Sequence, residues 1–147
     1  MGSACTFFGH RDCPESVKPK LREVLSALIE SQSADTFYVG DSGAFDSLVR
    51  AVLRELLQKY PHIRYAVVLA YLPEKREDSV YPDFAETILP EGIECSPPRF
   101  AVSRRNEWML KNADIVVTYI THTWGCAARF AETAKRRNKT VINIAEK

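Results

Sequence analysis

The sequence predicts an α/β fold: a Rossmann-like, doubly wound and mainly parallel sheet flanked by helices, built as one domain over residues 1–147. Short apolar runs of strand length alternate with longer stretches whose apolar residues recur at helical spacing. The runs at 63–72 (IRYAVVLAYL) and 114–120 (DIVVTYI) are nearly continuous in apolar residues, as strands covered on both faces are. Glycine-containing turns lead from strand to helix, the mark of repeated βα units.

Taken in order, residues 4–9 (ACTFFG) form a buried first strand that opens into the loop His10-Arg11-Asp12-Cys13-Pro14. Over 15–31, Val17, Leu21, Val24, Leu25, Leu28 and Ile29 mark one face of a helix whose other face carries Lys and Glu. Residues 36–40 are the second strand. Phe45, Leu48, Val49, Val52, Leu53, Leu56 and Leu57 then stripe a helix that must stop before Pro61. The 63–72 run is a central strand, ended by Pro73. Charges and prolines break the pattern over 74–98, an excursion that holds one brief strand and the apolar-edged segment 92–95. A helix follows over 100–112, with Ser103, Arg104, Arg105, Asn106 and Glu107 ahead of Trp108, Met109 and Leu110. After the 114–120 strand comes Thr121-His122-Thr123-Trp124-Gly125, then a helix with Ala127, Ala128, Phe130, Ala131 and Ala134 on one face. That small-residue face suits close packing on the sheet or on another subunit. Residues 140–144 (TVINI) close the sheet.

Composition narrows the function classes. The charges are nearly balanced, 20 Lys and Arg against 19 Asp and Glu, so no global field draws the chain to nucleic acid or an anionic membrane. The four cysteines, Cys5, Cys13, Cys95 and Cys126, form no CxxC pair, which argues against a zinc site or a disulfide framework and fits a reducing cytoplasm. No apolar run approaches the roughly twenty residues that span a bilayer. No metal and no cofactor is implied.

The most informative stretch is Tyr38-Val39-Gly40-Asp41-Ser42-Gly43-Ala44-Phe45-Asp46. It reads as strand, tight turn and helix, and the first amides of a helix at such a turn point outward without intrahelical partners, which suits an anion. Gly40 and Gly43 permit positive φ or close approach, and Ser42 can cap the helix or bond a phosphate oxygen. Parallel strands bring three loops to one edge: 10–13 with Gly9 before it, 40–46, and 121–126 with Thr121, Thr123, Trp124 and Gly125. In an open α/β sheet the ligand crevice lies outside the carboxyl ends of the strands. Arg104, Arg105 and Asn106 reach the same edge if their helix begins there. Arg supplies a planar fork for phosphate, Asn can bind a base or ribose, and cations near a helix start oppose its dipole unless an anion sits with them. His10 suits a hydrogen bond to ligand or backbone. Trp124 and Tyr38 can stack on a base, although Tyr38 also fits the core. Cys126 reads as a small buried residue at a helix start.

GHRD after the first strand, VGDSGAFD after the second, RRNEWMLKNADIVVTYI, and a last strand-Gly-helix ending in TVINI together resemble the SLOG superfamily, most nearly its small stand-alone YpsA-like bacterial members. The resemblance covers nearly the whole chain. It implies a Rossmann-like domain that binds nucleotides or nucleotide-derived molecules, usually as a homo-oligomer, dimer or tetramer. The superfamily includes the LOG phosphoribohydrolases, which cleave N-glycosidic bonds of nucleoside monophosphates, and DprA, which binds single-stranded DNA. An Arg on the helix before the penultimate strand is similar to that of the LOG enzymes, and Arg104 or Arg105 fits it. Their Pro-Gly-Gly-x-Gly-Thr-x-x-Glu loop is matched here only at Gly125, with Arg129 where the Glu would stand. An Arg neither stabilises an oxocarbenium-like centre nor activates water.

The expectation is therefore a binding protein, a sensor or sequestering domain for an ADP-ribose or cyclic-nucleotide type of ligand. The alternative is an N-glycosidic hydrolase or transferase in which other carboxylates, Asp46 and Glu107 foremost and Asp12 and Asp41 after them, divide the acid and nucleophile roles. A third class, single-stranded nucleic-acid binding, would use Lys135, Arg136, Arg137 and Lys139, and near-neutral net charge argues against it.

Overall fold

In the computed structural model, residues 2–10, 12–40, 43–69, 86–88, 90 and 98–145 are described. Their strands are β1 (Ser3–Gly9), β2 (Ala34–Val39), β3 (Arg64–Val68), β4 (Glu86–Ile88), β5 (Ile115–Tyr119) and β6 (Thr140–Asn143). All pair in parallel in one sheet of order β4-β3-β2-β1-β5-β6. The helices are α1 (Lys18–Ser31), α2 (Gly43–Lys59), α3 (Pro98–Lys111) and α4 (Cys126–Arg136). This is the doubly wound α/β architecture that the alternating pattern predicts.

The pleat sorts each strand between two cores. Cys5 and Phe7 of β1, Phe37 and Val39 of β2, and Ile115 and Val117 of β5 pack with the buried stripes of α1 and α2. Phe8, Val68 and Val116 turn to the other side, against Met109 and Leu110 of α3 and Ala127 and Ala134 of α4. Because helices cover both faces, the central strands place buried apolar residues on both of their sides. The one polar exception in mid-β1, Thr6, is fully buried and donates its hydroxyl to the Tyr38 carbonyl at 2.9 Å.

Some boundaries differ from the periodicity. The 15–31 helix is divided into a 3₁₀ turn, Glu15–Val17, and α1, because Pro19 sits in the first turn of α1, where its missing N–H costs nothing. The α3 helix starts two residues early, at Pro98, for the same reason. Of the 63–72 run the described strand is Arg64–Val68, after which the Leu69 amide donates to the Ile88 carbonyl at 2.7 Å; residues 70–72 lie outside the described residues. The brief strand of the excursion is Glu86–Ile88, and segment 92–95 lies outside the described residues. The alanine face of α4 is buried on the sheet, and Phe130 stacks on Phe8 of β1 with ring centroids 5.4 Å apart. Among the described residues, no helix is long and apolar enough to cross a membrane.

Candidate ligand crevice at the strand ends

The chain begins in the middle of its sheet. From β1 it walks outward through β2 to β3 and β4, then returns to the opposite side of β1 as β5 and β6. The order therefore reverses between β1 and β5, and the loops leaving these two strands diverge around a crevice at their carboxyl ends. The strands stay together up to that point, where the His10 amide donates to the Tyr119 carbonyl at 3.2 Å.

Just beyond, three rings form a column. His10 stacks on His122 with centroids 3.6 Å apart and planes 13° from parallel, and His122 stacks on Trp124 at 3.8 Å and 17°. Burial, and secondly electrostatic repulsion from the neighbouring His122 imidazole, hold the His10 pKa below its ordinary value. His10 Nε2 and His122 Nδ1 are shielded from solvent with no hydrogen-bond partner among the described residues. The column borders a cavity of about 500 Å³ that also takes in Gly9, Asp12, Thr121, Gly125, Cys126 and Ala127. Gly125 precedes α4 with φ of 100°, a left-handed conformation that glycine adopts freely, and it lines the cavity together with Cys126 and Ala127 at the start of the helix.

A second cavity, about 210 Å³, adjoins the first and shares Gly9, Cys126 and Ala127 with it. Its polar lining is Asp46 of α2 with Arg105 and Asn106 of α3, only 8%, 3% and 6% exposed. Arg105 Nε donates to Asn106 Oδ1 at 3.1 Å, which fixes the plane of the guanidinium. Gly40 explains how these groups meet. A Cβ there would lie 2.7 Å from Asp46 Oδ2 and 2.9 Å from Arg105 Nη1, so any side chain at 40 would displace the pair. Arg50 Nη1 ties down the same turn by donating to the Gly40 carbonyl at 3.0 Å. Gly9 is small for a different reason, since its Cβ would fall 2.3 Å from the Phe45 ring.

Gly9, His10, Thr121, Trp124 and Gly125 thus gather at the larger cavity, and Asp46, Arg105 and Asn106 at the smaller, with Gly40 beside them. Gly43 opens α2 at φ 89°. Arg11, Asp41 and Ser42 lie outside the described residues. Others are not brought to the crevice. Arg104 is exposed and lines neither cavity, so the buried arginine of the pair is Arg105. Thr123 lines another cavity of about 410 Å³, between α4 and the β5–β6 strands, which meets the column cavity at His122. Glu107 is held on the surface in a two-pronged pair with Arg137, at 2.6 and 3.0 Å, beside the far end of α4. Tyr38 packs edge-on against Trp108, centroids 5.1 Å apart, within the α3 side of the core.

One expectation is overturned: Cys126 is exposed at the start of α4, because the alanine face turns inward and leaves position 126 at the mouth of the crevice. Burial instead pushes the Cys13 thiol up to about 11, so it is protonated at neutral pH. From the sequence, His122 is weighed only as a partner for a Cys126 thiol, and Arg50 is given no role. Neither carries a local signal, since the first acts by stacking on a ring from the opposite end of the chain and the second by reaching back to a turn carbonyl.

Comparison with protein-family models and with curated proteins finds no match. Among solved structures, the chain is similar to the X-ray structure of DNA processing protein A (DprA) from Streptococcus pneumoniae, with a TM-score of 0.65 over 95% of this chain. The chain has a DprA-type fold. At 14% sequence identity the likeness is one of fold, and this chain spans about half of that protein, 49% of its length.

Proposed function

We propose that the chain binds a nucleotide or nucleotide-derived anion, of ADP-ribose or cyclic-nucleotide type, in the β1/β5 crevice, and that it works as a homo-oligomeric sensor or sequestering protein akin to the small YpsA-like SLOG members. The observation that carries this reading is the buried Arg105, oriented by Asn106 and set against Asp46 at the wall of a cavity at the topological switch point. A planar fork fixed in orientation is what recognition of phosphate requires. The start of α4 borders the adjoining cavity, and its helix dipole favours a second anionic group there.

An N-glycosidic hydrolase or transferase is the alternative reading. The burial of Asp46 in the smaller cavity favours it, since a desolvated carboxylate beside the ligand could serve as nucleophile. Asp12 at the larger cavity would have to supply the acid. Nucleic acid fits less well: Lys135 pairs with Glu132 and Arg137 with Glu107, which neutralises much of the basic end of α4.

Native mass spectrometry of the purified protein reads subunit number and co-purified small molecules together. Titration with nucleoside monophosphates, NAD and ADP-ribose should show binding that Arg105→Met weakens roughly 10- to 150-fold, the worth of a hydrogen bond to a charged group. Unchanged affinity in Arg105→Met removes the site. Product formation abolished by Asp46→Asn would establish the enzymatic alternative.

A further inference from the structure

We propose that the exposed face of Trp124 is the nucleobase subsite of this crevice, taking a flat heteroaromatic base, purine in preference to pyrimidine, as the fourth ring of the His10–His122–Trp124 column. The inference rests on the nucleotide reading above and assigns the end of the site that the phosphate-directed groups leave unexplained.

Trp124 is a large apolar side chain at 69% exposure, in a loop at the sheet edge where water is the ordinary neighbour. A tryptophan so exposed ordinarily samples several rotamers, and ordering it on a ligand costs side-chain entropy. Here that entropy is already lost. His122 covers one face of the indole at 3.8 Å, and His10, whose backbone is tied to the end of β5, supports His122 at 3.6 Å. The column is thereby anchored to both strands of the switch point, leaving the indole preorganised with its other face open. Near-parallel rings at these separations have the geometry of base stacking, so a base on the outer face extends an existing stack without rearrangement.

Position along the chain supplies the other half of the argument. Trp124 directly precedes Gly125 and the first amides of α4, and all border the same cavity. A ligand whose base lies on Trp124 thus keeps its sugar and phosphate within reach of the α4 amides, and through the shared Gly9 wall, of Arg105. An inorganic anion or a bare sugar phosphate would satisfy the arginine and the amides but would have no use for the column. Purines overlap an indole more fully than pyrimidines, which sets the preference.

The test compares AMP, GMP, CMP and UMP with ribose 5-phosphate by calorimetry on wild type, Trp124→Ala and Trp124→Phe. Trp124→Ala should weaken AMP and GMP by roughly 5- to 150-fold, the worth of one base–aromatic stack, while ribose 5-phosphate is unaffected and Trp124→Phe retains most of the affinity. In a Trp108→Phe background, where Trp124 is the only remaining tryptophan, AMP should quench the fluorescence and ribose 5-phosphate should not. Equal AMP affinity in wild type and Trp124→Ala overturns the subsite and leaves the anion crevice standing. A changed subunit number in Trp124→Ala with unchanged AMP affinity also overturns it, making the indole an interface residue. Failure of all five compounds, and of ADP-ribose and cyclic AMP beside them, to bind wild type overturns both the subsite and the nucleotide reading beneath it.

Discussion

His10 carries the clearest pH signature of any residue at the crevice. Among the described residues, the groups facing it are His122, stacked on its ring, and Tyr119 of β5, whose ring meets it edge-on at 6.4 Å, with Asp12 on the same cavity. Burial and His122 lower its pKa in the folded protein from the ordinary 6.5. Between the lowered value and 6.5 the unfolded chain therefore binds more protons than the folded one. The stability that neutral His10 contributes is fully present above 6.5 and is lost as pH falls through the folded pKa. Wild type should accordingly lose more thermal stability than His10→Asn when pH is lowered from 7.5 to 5.5. Melting curves of the two proteins at both pH values check this, and parallel losses would show that His10 titrates as it does in the unfolded chain. The glycines teach a related lesson at this scale. Gly43 and Gly125 are needed for their left-handed φ, whereas Gly40 is needed because Asp46 and Arg105 crowd its Cβ position. A sequence shows that a glycine is present, and only the fold shows which of these two reasons applies.

Among the elements, α4 joins core and site in one helix. Its alanines let it lie close on β1, and that closeness is what brings its first amides and Gly125 to the crevice. Ala134 is wholly buried at the other end of the helix, beside Met109, Leu110 and Val116. Replacing it with Leu should cost about 1–3 kcal/mol by overpacking, a drop of roughly 2–12 °C in Tm at this chain length, whereas the exposed Glu132→Ala should change stability by less than about 0.5 kcal/mol. Thermal unfolding of the two variants checks this. The same helix shows what was legible in the sequence. Its small-residue face, the stripe of α2 and the apolar runs of β1, β3 and β5 are all written locally, because burial on one or both faces demands them. β4 was harder to place, since three residues hold too little periodicity to mark a strand. The separate fates of Arg104 and Arg105 were also not legible: adjacent residues differ by about 100° around a helix, and only the packing of α3 on the sheet decides which one faces inward.

For the molecule as a whole, the Gly40 turn is the most informative stretch of the sequence, while the topology puts the centre at the reversal of strand order between β1 and β5. The Gly40 turn becomes one wall, positioned to let Arg105 meet Asp46. That shift has a thermodynamic consequence. A ligand in the crevice would touch the ends of β1 and β5 together with α2, α3 and α4, elements from both layers, so it should bind the folded chain and not the unfolded one. At a free concentration one hundred times its Kd, such a ligand adds about 2.7 kcal/mol to stability. For a domain of this size that is a rise in Tm of roughly 5–11 °C. If Arg105→Met weakens binding a hundredfold, the same concentration adds only about 0.4 kcal/mol, or roughly 1–2 °C. Thermal shifts of wild type and Arg105→Met, each compared with its own ligand-free melting point at fixed protein concentration, separate loss of ligand from loss of fold. A ligand-induced rise of the same size in both proteins would show that the crevice stabilises its ligand without Arg105.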